Sequence, residues 1–68
     1  MSALREDVTT YACTYELRDG EAVVSTGRLL LEQAPTVGER LQLGDAHAQV
    51  EDVLAQGMHE LRLVLRLL

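Results

Sequence analysis

The fold class of this chain depends on the stretch DAHAQVEDVLAQG, residues 45–57, because it fits two secondary structures. As a helix, it would be capped by Asp45 and followed by Gly57, which are typical residues for those two positions. Its apolar residues would then form one stripe at helical spacing, and its Ala, Gln, Glu and Leu content suits a helix. This interpretation predicts an α+β fold, β-β-β-α-β, with a helix at about residues 46–56.

The same stretch also fits a strand that starts from a turn at Gly44-Asp45. Ala46, Ala48 and Val50 then share one face, and a bulge at Glu51–Asp52 returns Val53 to that face. Five strands can close into a small barrel, whereas four strands and a helix leave more open sheet edge, which favours aggregation. We therefore expect an all-β, five-stranded barrel and keep the helical fold as the alternative.

The stretch that follows, HELRLVLRLL at residues 59–68, is the clearest strand of the chain. It has leucine at every second position: Leu61, Leu63, Leu65 and Leu67. The positions between them carry charged or apolar residues, and this period of two is typical of a strand with one buried face.

The N-terminal half predicts two strands joined at Asp19-Gly20. Residues 8–18 alternate, and their apolar face consists of Tyr11, Cys13, Tyr15 and Leu17. An Asp-Gly pair between two such runs indicates a tight hairpin, of which type I′ needs positive φ at both central residues. The second strand begins near Glu21, and Gly27 within it indicates a bulge or a sharp bend.

The stretch APTVGE, residues 34–39, is predicted to be a corner between the second strand and a short third strand. It contains the only proline of the chain, Pro35, which cannot donate a hydrogen bond to a strand ladder. Gly38 would allow the turn. Val37 is in phase with Leu41 and Leu43 and is expected on their face.

Length and composition indicate one small domain over residues 8–68, preceded by a short flexible segment at residues 1–7. A core of this size gives modest stability, and such domains often gain stability from a partner subunit. Cys13 is the only cysteine of the 68 residues, so it forms no disulfide within the chain. With no apolar leader or anchor visible, we expect a cytoplasmic protein.

Together these features resemble small SH3-like β-barrel domains. The resemblance is carried by the Tyr-rich strand, the Asp-Gly hairpin, the glycine in the second strand, the stretch PTVGERLQLGD, the step VEDV and the last alternating strand. It covers about residues 8–68 and implies the barrel, but this fold hosts many functions and implies none by itself. Peptide-binding SH3 domains need an aromatic groove, and this chain has no Trp or Phe.

The composition argues against an enzyme and against a bound cofactor. Cys13, His47 and His59 are the only soft or imidazole ligands, and their spacing matches no metal motif. The chain has no lysine and no glycine-rich loop that opens a helix, so no phosphate site is predicted. A net charge of −5 disfavours nucleic acid. We expect no cofactor, metal, membrane contact or small-molecule substrate.

A surplus of apolar residues suggests a contact surface. Residues 29–31 are three consecutive leucines, so they cannot all face one core. The candidate interaction surface combines the surplus apolar residues with neighbouring arginines: Arg28, Leu30, Arg62, Val64, Arg66 and Leu68. It predicts a non-enzymatic protein–protein interaction or self-association module, most simply a homodimer. The alternatives are an acidic accessory or inhibitory protein that binds a basic partner, and a nucleic-acid-binding barrel.

Overall fold

The computed structural model describes residues 10–68, which form five strands and no helix. The strands are β1 (Tyr11–Asp19), β2 (Ala22–Leu31), β3 (Arg40–Leu43), β4 (Ala46–Gly57) and β5 (Glu60–Leu67). The all-β prediction is therefore confirmed. The predicted flexible segment at residues 1–7 lies outside the described residues. In the described part of the chain, no helix of the length and apolarity needed to cross a membrane occurs.

The strands form one mixed sheet in the order β2-β1-β5-β4-β3. The three hairpin pairs are antiparallel, and β1 pairs with β5 in parallel. The sheet curls into a half-barrel, which is compatible with a small barrel fold. Within residues 10–68 no backbone hydrogen bond joins β2 to β3, so the half-barrel is open between these two edges.

The stretch that decided between the two fold classes is a strand, and the helical alternative is wrong. Ala48 and Val50 are buried, the pairing with β5 shifts between Val50 and Asp52, and Val53 returns to the inner face. Pairing with β5 along most of β4, and with β3 at residues 46–49, provides backbone hydrogen bonds that outweigh its helical propensity. The strand continues to Gly57, and a two-residue turn joins it to β5.

The core lies on the inner side of the curl, which we call the concave face. It contains six buried residues: Cys13, Leu17, Ala48, Val50, Leu63 and Leu65. Around them pack nine partly buried residues: Tyr11, Tyr15, Leu29, Leu31, Leu41, Leu43, Val53, Leu61 and Leu67. The predicted inner faces of β1 and β5 are thus confirmed.

The hairpin between β1 and β2 has the predicted place but a different turn. Asp19 pairs with Ala22, so Gly20 and Glu21 are the two central residues. Gly20 has φ +66°, and no residue other than glycine has positive φ in the described part. Positive φ at the first central residue alone is the pattern of a type II′ turn, whereas the sequence pointed to an Asp-Gly type I′ turn and left the register of the hairpin open.

Gly27 does not mark a bulge, so this part of the prediction is wrong. The pairing of β1 with β2 shifts between Leu17 and Arg18, where Val24 is the extra residue of β2. Gly27 lies opposite Tyr15 within regular pairing. Its missing side chain leaves room for the aromatic ring, since a Cβ there would come to 2.7 Å from the Tyr15 hydroxyl oxygen.

The stretch at residues 34–39 is a corner, as predicted. Pro35 is buried, and Gly38 has φ +95°. The Gly38 N–H donates to the Val50 carbonyl at 2.8 Å, and the Val50 N–H donates to the Glu39 carbonyl at 2.8 Å. These bonds attach the corner to β4. Val37 is 66% exposed at the turn, so its predicted place on the inner face is wrong.

Candidate functional site

All six residues of the predicted interaction surface lie on the outer side of the sheet, which we call the convex face. Along β1, Ala12 lies opposite Leu30, and Glu16 lies opposite Val64. The other four positions follow from the same registers and from the alternation of β5: Arg28, Arg62, Arg66 and Leu68. The structure therefore places these residues on one face but does not gather them into one patch.

A charge network occupies the middle of the convex face. The Glu16 carboxylate accepts a hydrogen bond from Arg18 at 2.7 Å and from Arg62 at 3.3 Å. The hydrogen bond from Arg18, together with the charges of both guanidinium groups, holds the pKa of Glu16 below its ordinary value. The network crosses from β1 to β5, so Arg62 has a structural partner within its own chain.

The last arginine of β5 also has partners within the chain. Arg66 donates to the Gln49 side-chain oxygen at 2.8 Å and lies 3.4 Å from the Glu51 carboxylate. Val64, between Arg62 and Arg66, is only half-exposed. This part of the predicted surface therefore resembles a solvated outer sheet face more than an apolar contact site.

Leu30 is the strongest apolar feature of the predicted surface, since 75% of it is exposed. It lies opposite Ala12 on β1, four positions before Glu16, so it is about 13 Å along the strands from the row that contains Val64. Leu68, 53% exposed, lies beyond the opposite end of β5. Leu30 therefore lies at the edge of the sheet, apart from the part of the convex face that surrounds Val64.

That edge is formed by β2, which is ten residues long and pairs only with β1 in the described structure. Its only charged residue is Arg28, and it contains no proline. Natural proteins usually protect edge strands with charges, prolines or short length. On the opposite side, β3 has four residues and follows the corner with Pro35, and the part of β4 that extends beyond β3 carries Glu51 and Asp52. The long edge is thus the less protected of the two.

An apolar groove runs along the inner side of this edge, between β2 and β3. Its walls carry Val24 and Leu29 from β2 and Leu43 from β3. Leu17 and Leu67 form its floor. The strand patterns predicted Leu17, Leu43 and Leu67 to face a core, but they did not reveal that the half-barrel stays open above them. No local signal in the sequence could have shown the opening.

The residues considered for chemistry do not converge. His47 lies at the start of β4, whereas His59 lies in the turn that follows β4 and packs edge-on against Tyr11, with ring centroids 5.5 Å apart. Cys13 is 1% exposed, and burial raises the pKa of its thiol. Among residues 10–68, no three His, Cys, Asp or Glu side chains form a group that could hold a metal ion.

Comparison with known proteins gives no match. No protein-family model, no curated protein and no solved structure is significantly similar to this chain.

Proposed function

We propose that this protein is a non-enzymatic self-association module that uses its long open edge. The observation that carries the proposal is the combination at β2: ten residues with an unpaired outer edge, Leu30 75% exposed, and an apolar groove beside the strand. An exposed strand edge is a ready template for a further strand, and apolar residues beside it add to the contact. In self-association, a second copy of the same chain pairs with this edge, so no other protein is needed.

The small core supports the same proposal. The core cluster of the described structure contains six buried residues, the largest of which are leucines, while nine hydrophobic residues around them remain partly exposed. A domain of this size gains little stability from its core alone. A second subunit over the open side would remove part of this apolar surface from water, and such burial is favourable.

The proposal includes the finer assignments made from the sequence. The half-barrel is taken as a variant of the SH3-like barrels, and the cytoplasm as its compartment, because a single free thiol fits a reducing environment. A symmetric dimer is the simplest assembly, since a two-fold axis lets one edge serve both subunits.

Sedimentation velocity over a wide range of concentration tests self-association. We expect a dimer whose population rises with concentration and falls when Leu30 is replaced by Ser. Leu54→Ser is the matched control, because Leu54 is 45% exposed on the convex face of β4, away from the edge. A strict monomer at every accessible concentration would contradict the proposal.

The alternative function, an acidic protein that binds a basic partner, would depend on clustered carboxylates. The exposed ones in the described structure are instead distributed. Asp19, Glu21 and Asp45 are at one end of the sheet, Glu32 and Glu60 are at the other, and Glu39, Glu51 and Asp52 lie just before β3 and within β4. Salt separates the two functions, because an apolar contact persists at high ionic strength while electrostatic association weakens. Loss of the complex on adding salt would therefore favour the alternative.

A further inference from the structure

We infer that the second copy binds by antiparallel pairing of β2 with the partner subunit's β2, around a two-fold axis at Leu30. This inference rests on the proposed self-association and adds the interface and its register. It would join two half-barrels into one continuous ten-stranded sheet, with the two β2 strands at its centre.

Two-fold symmetry limits the possible registers. Two residues that lie directly opposite each other in antiparallel strands have their side chains on the same face of the sheet. A two-fold axis pairs the residues of the two copies so that the two residue numbers add up to the same sum in every pair. From Ser25 to Leu31, the odd-numbered residues pair with the residues of β1 that face the core, so they lie on the concave face. The even-numbered residues lie on the convex face. The sum must therefore be even, so the axis passes through one residue and its own copy.

The bulge at Val24 excludes a two-fold axis in the first half of β2. Bulges disturb the regular spacing of backbone groups at a sheet edge and oppose further pairing there. An axis at Thr26 or Gly27 would place the bulge inside the new ladder. Regular pairing is available only to the part of β2 that follows Ser25.

The charges of the paired side chains then favour one of the remaining positions of the two-fold axis. An axis at Arg28 would oppose two guanidinium groups, which is unfavourable. An axis at Leu29 would oppose Arg28 to an apolar side chain, Leu30. An axis at Leu30 opposes each Arg28 to the partner subunit's Glu32, which is exposed and directly follows β2. This register is the only one of the three that forms two ion pairs.

The same register matches the apolar residues on both faces. On the convex face, Leu30 contacts its own copy between the two ion pairs. On the concave face, Leu29 of each subunit lies opposite Leu31 of the other, and both residues are only partly buried in the single chain. Cross-strand apolar and opposite-charge pairs of this kind each stabilise a sheet. The two cores would become neighbours across the joined edge.

Cross-linking through L30C tests the register directly. Opposed residues in an antiparallel pair have Cα atoms about 4.5–5.5 Å apart, which lies within the range of about 4.4–6.8 Å that a disulfide spans. Under mild oxidation we expect L30C to form a covalent dimer. L54C, at an exposed site on β4 away from the β2 edge, is the control and should stay monomeric after denaturation. Cys13 does not interfere, since it is buried.

Charge exchange tests the ion pairs. R28E and E32R should each raise the dimer dissociation constant about tenfold, because each variant opposes like charges at two places. The double variant R28E/E32R restores opposite charges and should regain most of the affinity. Both residues are exposed, and unchanged far-UV circular dichroism confirms that each variant folds.

The outcomes distinguish this interface from the proposed function. A wild-type dimer in which L30C cross-links no better than L54C, or in which the double variant stays as weak as the single ones, overturns the interface but leaves self-association standing. A wild-type protein that remains monomeric overturns both the interface and self-association. The occupant of the β2 edge would then be a strand of a different protein.

Discussion

Tyr15 on β1 lies directly across from Gly27 on β2, and its ring covers the glycine. A Cβ on Gly27 would come to 2.7 Å from the Tyr15 hydroxyl oxygen and to 2.9 Å from the ring carbon that bears it. Real side chains do not approach this closely, so the glycine is required by the ring and not by an unusual backbone angle. The pair fixes the position of an edge strand that has no other neighbour in the described structure.

Replacing Gly27 by Ala should therefore destabilise the protein. The new methyl group displaces the Tyr15 ring from its place against the core, and overpacking of this kind costs about 1–2 kcal/mol. Urea denaturation followed by circular dichroism measures the free energy of unfolding. Thr26→Ala, an exposed neighbour, is the control. In a Tyr15→Leu background the cost of Gly27→Ala should shrink, and an equal cost in both backgrounds would refute the contact.

The Glu16 network predicts a pH-dependent contribution to stability. The folded-state pKa of Glu16 is lowered, chiefly by the hydrogen bond from Arg18, so the contribution is present above the unfolded pKa of about 4.3. It is lost as the pH falls through the lower, folded-state pKa.

Glu16→Gln should thus destabilise the protein at neutral pH, and the difference from wild type should vanish in acid. Unfolding free energies measured from neutral to acidic pH check this expectation, with Glu21→Gln in the exposed turn as control. A difference that is constant over the whole range would show that Glu16 acts by packing and not through its charge.

The difference in exposure between Leu63 and Leu30 predicts that replacing them by alanine lowers the free energy of unfolding by very different amounts. Leu63 is fully buried, so Leu63→Ala should lower the free energy of unfolding by about 3 kcal/mol, a large share of the stability of so small a domain. Leu30→Ala, at the exposed edge, should change it by less than about 0.5 kcal/mol when measured at a concentration where the protein is monomeric. Similar costs for the two variants would contradict the assignment of the core.

The thiol of Cys13 should be protected in the folded protein. It is 1% exposed and burial raises its pKa, so its thiolate is both scarce and inaccessible. We expect it to react with an aromatic disulfide reagent roughly a hundredfold more slowly than the added thiol of L54C, because reaction needs local opening. Denaturant should abolish the difference. Rapid reaction of the native wild-type thiol would place Cys13 outside the core.

The features that sequence reasoning predicted correctly are those set by neighbours along the chain. The alternation in β5 identified Leu63 and Leu65 as buried, and the corner around Pro35 and Gly38 was found where it was expected. The errors arose where distant contacts decide. A bulge was predicted at Gly27 because the Tyr15 ring that lies against the glycine belongs to another strand, and Val37 was expected on the face of Leu41 and Leu43 although the strand begins only at Arg40.

The candidate site was predictable in part for the same reason. The triple leucine showed that one apolar residue must face outward, and the structure identifies it as Leu30. That Arg62 and Arg66 have partners within the chain could not be predicted, since Glu16 and Arg62 are 46 residues apart.

By itself, the sequence determined which residues face inward on most strands and where the chain turns, because alternation and turn chemistry are properties of neighbouring residues. Only the tertiary structure decided that residues 46–57 form a strand, that β1 pairs with β5 in parallel, and that β2 remains an open edge. Those outcomes depend on backbone hydrogen bonds between segments far apart in the chain. A local pattern contains no information about which strand its edge will meet.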